Sequence, residues 1–258
     1  MKSVEFVLSE IEMLIEKYKI NAIMFDDDEF DLNKKWIRHF CEEIIERELK
    51  FIWHCNSRCN YAEKEIYLLM YDAGCRSVSF GIEFGNQKIL DFAMKQLTVE
   101  QIEKGVKYAK GAGLNVAGYF MMGMMGETEE TIKDTINLAL RLPLDSGSFG
   151  LTVPMIGTEL YNMALREGYI SKEYWGQWVR TRALVNMTKN LSQNQLNKYV
   201  RMANWQFFWS RPRRRIPKTI RKIIIRLFPI LYFFTGKKFG EVVFLVNGVR
   251  RFLRIPLS

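Results

Sequence analysis

Histidine is nearly missing from this 258-residue chain, which has two, and cysteine and proline are sparse at four and six. With so few cysteines and no basic, apolar and small-residue leader pattern at the start, disulfide stapling and export are not expected, and the reading is cytoplasmic. No apolar run reaches the roughly 20 residues that a membrane-spanning helix needs. Nor does a Gly-x-Gly turn follow the first β-type run, residues 21–25, so the usual opening of a dinucleotide-binding fold is absent. Acid is what the end of the chain lacks. Residues 210–258 hold 13 Lys and Arg against one acid, Glu241, whereas the preceding part is close to neutral with 25 basic and 28 acidic residues.

What is present is a chain with 48% hydrophobic residues, enough to fill a core and too many for a disordered segment. β-type runs at 21–25, 50–55, 77–82, 114–122 and 147–153 recur about every 30 residues, the length of a βα unit. Between them lie segments with helical apolar spacing, such as Trp36, Ile37, Phe40, Ile44 and Ile45. Asp31 is expected to cap a helix starting at Leu32, and Thr128 one over residues 130–140. The expected architecture is α/β, a parallel sheet of partial-barrel type over residues 1–170, a helical extension over 171–210 and a basic amphipathic tail over 211–258. The chain opens on a helix, 4–18, with no strand before it, so a further strand upstream is expected.

In a βα barrel the chemistry sits at the carboxyl ends of the strands. Those ends read Asp26-Asp27-Asp28-Glu29, Cys55-Asn56-Ser57-Arg58, Gly81-Ile82-Glu83, Met122 to Thr128 through Gly123, Gly126 and Glu127, and Pro154 to Thr158. Each has a bland reading, as a helix cap or a solvated turn. Together they put polar residues and glycines on one rim.

The stretches IMFDDDEFDLNKKW, FIWHCNSRCN, AGCRSVSFGIEFGNQKIL, AGYFMMGMMGETEET and VPMIGTELYNMA resemble, in order and spacing, the radical S-adenosylmethionine superfamily. Its branch often preceded by a cobalamin-binding domain is the most similar. The resemblance covers about residues 2–170. It implies a partial (β/α)6 barrel of which this chain supplies strands two to six. It also implies S-adenosylmethionine bound by Asp27, Asp28, Asn56, Arg58, Glu83, Gly123, Glu127 and Pro154, with a one-residue slip bringing in Glu29. Carboxylates suit the cationic methionyl amine, and glycine permits backbone approach to an adenine. Met125 and Ile156 stand where the family has prolines.

The family also implies a [4Fe–4S] cluster on a Cys-x3-Cys-x2-Cys loop after the first strand, which here would lie before Met1, and possibly cobalamin through a separate domain. Cys55 and Cys59 have the first spacing, but Ala62 occupies the third position. No metal ligands are therefore assigned, and Cys41, from a helix, and Cys75, from a helix end, read as small core hydrophobes. His39 reads as structural, while His54 precedes the rim and is a candidate for substrate or cofactor contact. FDDDEFD is not a calcium loop, because Phe30 takes an oxygen ligand's place.

The implied activity is methylation or cyclisation at an unreactive carbon of a lipid-like or tetrapyrrole-like substrate. The alternative is a truncated remnant that binds S-adenosylmethionine or a membrane without radical chemistry. Residues 211–258, where basic residues flank aliphatic and aromatic runs, suit a helix lying on an anionic membrane surface. A helical cap on the barrel suits them equally, and nucleic acid ranks behind both.

Overall fold

The computed structural model describes residues 2–181 and 184–211, so the tail expected to meet a membrane falls, from residue 212 on, outside the described residues. The first helix, α1 (Val4–Tyr18), begins where the Ser3 hydroxyl accepts the Phe6 amide at 3.2 Å. It buries Val4, Leu8 and Ile11, the helix-spaced stripe that its sequence carries.

Five strands follow, β1 (Ala22–Met24), β2 (Ile52–Ser57), β3 (Cys75–Glu83), β4 (Asn115–Met122) and β5 (Ser146–Leu151). They lie in the order of the sequence and every neighbouring pair is parallel. Between them run α2 (Lys34–Glu46), α3 (Lys64–Asp72), α4 (Gln87–Phe92), α5 (Val99–Gly111) and α6 (Glu129–Arg141). After β5 come α7 (Glu159–Arg166), α8 (Tyr174–Thr181) and α9 (Gln193–Ser210). The result is an open, parallel half-barrel, the α/β architecture that the strand spacing predicts.

One expected cap is displaced. Asn33, not Asp31, starts α2, its Oδ1 accepting the amides of Lys35 and Trp36, both at 3.1 Å. Asp31 is 1% exposed and is engaged elsewhere: Ser57 Oγ donates to it at 2.8 Å and Lys34 stands 3.7 Å away. Thr128 does cap α6, in a box where its hydroxyl accepts the Thr131 amide and Thr131 Oγ1 accepts the Thr128 amide. Cys75 opens β3 and does not end a helix.

The two faces of the sheet differ. Trp53, Cys55 and Ser57 of β2 are buried toward the helices, Trp53 against Phe40 of α2 and Ser57 against Tyr67 of α3. Strand alternation turns His54 and Asn56 to the other face. In register with them are Ser77 and Ser79 of β3, and with these Asn115 and Ala117 of β4, while Ala117 and Tyr119 pair in turn with Ser146 and Ser148 of β5. Tyr119, Ser146 and Ser148 are exposed, as is Met24 at 68%, so this concave face is open.

Residues Met1–Phe207 form one compact unit and Phe208–Ser258 a second, of which 208–211 are described. In the first unit a main core between sheet and helices is joined by a smaller cluster of Met125, Tyr161, Ala164, Ile170, Tyr174 and Met187. Among the described residues no helix is long and apolar enough to cross a membrane.

Candidate functional site

The carboxyl ends of the strands meet as a connected rim. Arg58, just past β2, donates from Nη1 to Glu29 Oε1 at 2.7 Å and from Nη2 to the Lys95 carbonyl at 2.6 Å. Lys95 Nζ in turn lies 3.2 Å from Glu83 Oε1. Glu29, Arg58, Lys95 and Glu83 thus form a chain from the loop after β1 to the end of β3. Asn56 ties the first loop down: its Nδ2 donates to the Asp27 carbonyl at 3.2 Å and its own carbonyl accepts the Phe30 amide at 3.1 Å. The Phe30 ring then stacks on Phe25 with centroids 4.3 Å apart.

Glu83 is held in an uncommon backbone state. It is the last residue of β3, follows an irregularity in the β3–β4 register, and has φ +67°. Non-glycine residues in this left-handed region carry a cost of about 1–3 kcal/mol and cluster at functional sites. Met94 and Gln96, on either side of Lys95, share that region with φ +52° and +49°.

Beside this strained corner opens a cavity of about 290 Å3, with Glu83, Lys95, Met94, Met121, Met124 and Thr152 in its wall. Its lining is mostly apolar and sulfur-rich with few polar groups, the composition of a small-molecule site. The Thr152 hydroxyl is buried and lacks a hydrogen-bond partner.

After β4 the chain turns at Gly123 and Gly126, with φ +94° and +82°, values that side chains rarely tolerate. Glu127 closes this turn. It is 0% exposed, and its Oε2 accepts the Gly123 amide and, at 2.9 Å, the Met124 amide. Burial raises its pKa to about 7, against the opposing pull of the two amides. Glu127 therefore holds the wall residue Met124 in place through its backbone. Met125, at the family's proline position, puts its side chain into the smaller apolar cluster. Pro154 is buried just beyond β5.

Asp27 and Asp28 are exposed, and the acid of that loop that pairs on the rim is Glu29. Lys95 and Thr152 escape sequence reading. Lys95 lies beyond α4, 12 residues past the strand end, and reaches the rim only because α4 folds back.

The cysteines do not line the rim. All four are free and buried. Burial pushes the Cys41 and Cys59 thiols well up, and Cys55, hydrogen-bonded to Cys75, is raised too. Cys59 packs on α5 at Gly105, where an added Cβ would come within 2.9 Å of the Cys59 Cβ. Among the described residues no group of three or more His, Cys, Asp or Glu is placed to hold a metal ion. These side chains do not fit an iron–sulfur cluster. The rim and cavity do fit an organic ligand with a cationic end and an apolar body.

A parallel half-barrel with such a site at the carboxyl ends of its strands defines an α/β protein of the βα-barrel class, which carries its functional groups at that end. The model of the radical SAM superfamily matches residues 1–139, and the chain belongs to that superfamily. An uncharacterized methyltransferase of Pyrococcus horikoshii is 33% identical over 206 residues, 80% of this chain and 45% of the relative. The anaerobic magnesium-protoporphyrin IX monomethyl ester cyclase of Rubrivivax gelatinosus is 29% identical over 157 residues, 60% of this chain and 28% of the relative. The chain thus spans less than half the length of either. Among solved structures, the radical S-adenosylmethionine methyltransferase TsrM from Kitasatospora setae, with cobalamin and a [4Fe-4S] cluster bound, is similar with a TM-score of 0.54. Its identity is 22%, over 58% of this chain and 29% of that one. Coproporphyrinogen III oxidase of Escherichia coli gives 0.56 at 14% identity, over 80% and 46%. At these identities the structures show a shared fold.

Proposed function

We propose that this half-barrel binds S-adenosylmethionine at its rim and is the core of a radical SAM enzyme that methylates or cyclises an unreactive carbon. Glu83 carries the reading, as a carboxylate fixed in a left-handed turn at a strand's carboxyl end, beside a cavity that fits a nucleoside. Its free oxygen receives the methionyl ammonium, with Glu29, Asp27 and Asp28 adding negative potential from the neighbouring loop. Arg58 and Asn56 hold that loop in place, and Arg58 is also the cation within reach of a methionyl carboxylate. The adenine and ribose lie against Met121, Met124 and Thr152, and the turn of Gly123 to Glu127, with Pro154, shapes the wall.

When bound, S-adenosylmethionine supplies an electrophilic methyl or, after one-electron reduction, a carbon radical. The residues here bind it, orient it and exclude water. The methyltransferase and cyclase relatives support methylation or cyclisation, and the name of the cyclase supports a tetrapyrrole-like substrate, for which the open concave face has room. Cobalamin is proposed on the strength of the branch alone, and association with an anionic membrane on the charge of residues 211–258.

A second reading is favoured by the burial of all four cysteines: this chain binds S-adenosylmethionine without cleaving it. Calorimetry of the 258-residue chain with S-adenosylmethionine tests both. Saturable one-to-one binding, weakened about tenfold or more in Glu83→Gln through loss of a charge-assisted bond, is the expected result, and a flat titration overturns the proposal. Iron and sulfide analysis after anaerobic reconstitution, with 5′-deoxyadenosine as the product sought, separates the two readings.

A further inference from the structure

On the concave face of the sheet, away from the cavity wall, three side chains form a connected group that the reading above leaves without a task. His54 Nδ1 lies 2.9 Å from Ser77 Oγ, and His54 Nε2 lies 3.3 Å from Ser79 Oγ. The three occupy two adjacent strands in register, β2 and β3.

The hydrogen positions follow from burial. Ser79 is 3% exposed, and a hydroxyl proton shut off from water needs an acceptor. His54 Nε2 is that acceptor. Desolvation holds the His54 pKa below its usual 6.5, so the ring is neutral near pH 7 and has one donor and one acceptor. With Nε2 accepting, Nδ1 carries the proton and faces Ser77, whose Oγ at 2.9 Å and backbone carbonyl both accept from it. Ser77 is only partly buried, and its own proton is left to point away from His54. The three groups are polarised in one direction, which strengthens the last donor.

On the His54 side this group is bordered by exposed apolar residues. Met24 is paired in register with His54 and is 68% exposed, and Ile52, two residues before His54 on the same face, is 50% exposed. A neutral hydroxyl donor with exposed apolar side chains beyond His54 on one flank and the exposed Asn115, in register with Ser77, on the other suits a molecule that has an apolar body and presents one acceptor oxygen.

We propose that Ser79, His54 and Ser77 form an anchor on the open face of the half-barrel that binds the carbonyl or carboxylate oxygen of an apolar substrate through the Ser77 hydroxyl. The proposal takes from the previous section only that the substrate lies on the concave face. Its test uses no S-adenosylmethionine, so the two can fail separately.

The chain has two histidines, which makes 15N nuclear magnetic resonance of ring-labelled protein direct. The free chain should show His54 as the Nδ1–H tautomer. Octanoate and octanamide serve as carboxylate and carbonyl probes, and octylammonium, which has no acceptor, as the control. Saturable shifts of the His54 ring with either acceptor probe, small ones with octylammonium and none at His39 are expected. Ser77→Ala should weaken the binding about fivefold, the worth of one hydrogen bond, and Ser77→Thr, which keeps the hydroxyl, should restore it. An Nε2–H tautomer, equal responses to octanoate and octylammonium, no His54 response, or unchanged binding in Ser77→Ala each overturns the proposal.

Discussion

Lys95 Nζ stands 3.2 Å from Glu83 Oε1 while the Lys95 carbonyl, at 2.6 Å, accepts from Arg58. A single loop residue therefore joins two strand ends and partly neutralises the carboxylate proposed to hold an ammonium. Both side chains of the Lys95–Glu83 pair keep some contact with water, so the pair contributes about 1 kcal/mol or less to stability. Lys95→Met should leave stability within that range and tighten S-adenosylmethionine binding roughly two- to fivefold by freeing Glu83. Thermal melts and calorimetry check the two halves, and weaker binding would place Lys95 on the ligand itself.

Glu127 sets a pH dependence. Its folded pKa of about 7 lies above the ordinary 4.5, so between these values the folded chain holds a proton that the unfolded chain releases. Stability from this group is full below about pH 4.5 and falls as pH rises to about 7, by on the order of 3 kcal/mol. Glu127→Gln keeps an acceptor for the Gly123 and Met124 amides and removes the titration. The difference between the two proteins in urea unfolding free energy should therefore change between pH 5 and 8 and level off above. A constant difference would mean that Glu127 titrates normally.

The thiols should be silent in the native state. All four cysteines are buried; burial keeps Cys41 and Cys59 protonated, and the Cys75 hydrogen bond together with burial does so for Cys55, whereas the thiolate is the reactive form. Native protein should react with 5,5′-dithiobis(2-nitrobenzoate) at under about one hundredth of the rate in guanidinium, where all four appear. Fast native reaction of Cys55 or Cys59 would reopen the case for ligation.

The outer edge of β5 is closed by a side chain. Asn204 Oδ1 accepts the Phe149 amide at 3.0 Å and its Nδ2 donates to the Phe149 carbonyl at 2.9 Å, as a neighbouring strand would. Asn204→Ala should cost about 1–3 kcal/mol in urea unfolding. Asn204→Leu, similar in size and unable to bond, should cost as much, and a neutral result for both would make the pairing incidental.

Much of the framework was legible because it is periodic. Helix α1 runs over residues 4–18 as its apolar spacing predicts, and all five strands lie on the β-type runs, within two or three residues at their ends. The Asp31 cap failed for a reason local sequence does not carry: Ser57, 26 residues away, claims that carboxylate once β2 and α2 pack. Glu83 was visible as an acid after a strand, whereas its left-handed backbone and its partner Lys95 were not.

The order of apolar and polar residues by itself determined the parallel βα alternation, the faces that are buried and the ends where polar groups gather, since each depends on neighbours within a turn or a strand. Tertiary structure alone decided which acid of the Asp27 to Glu29 run meets Arg58, that Glu127 turns inward on its own loop, and that His54 stands between two serines. The Arg58 and His54 contacts join neighbouring strands or strand ends that are far apart in the sequence, and Glu127, though it bonds within its own loop, turns inward because packing excludes water there, so each geometry arises only when the sheet is assembled.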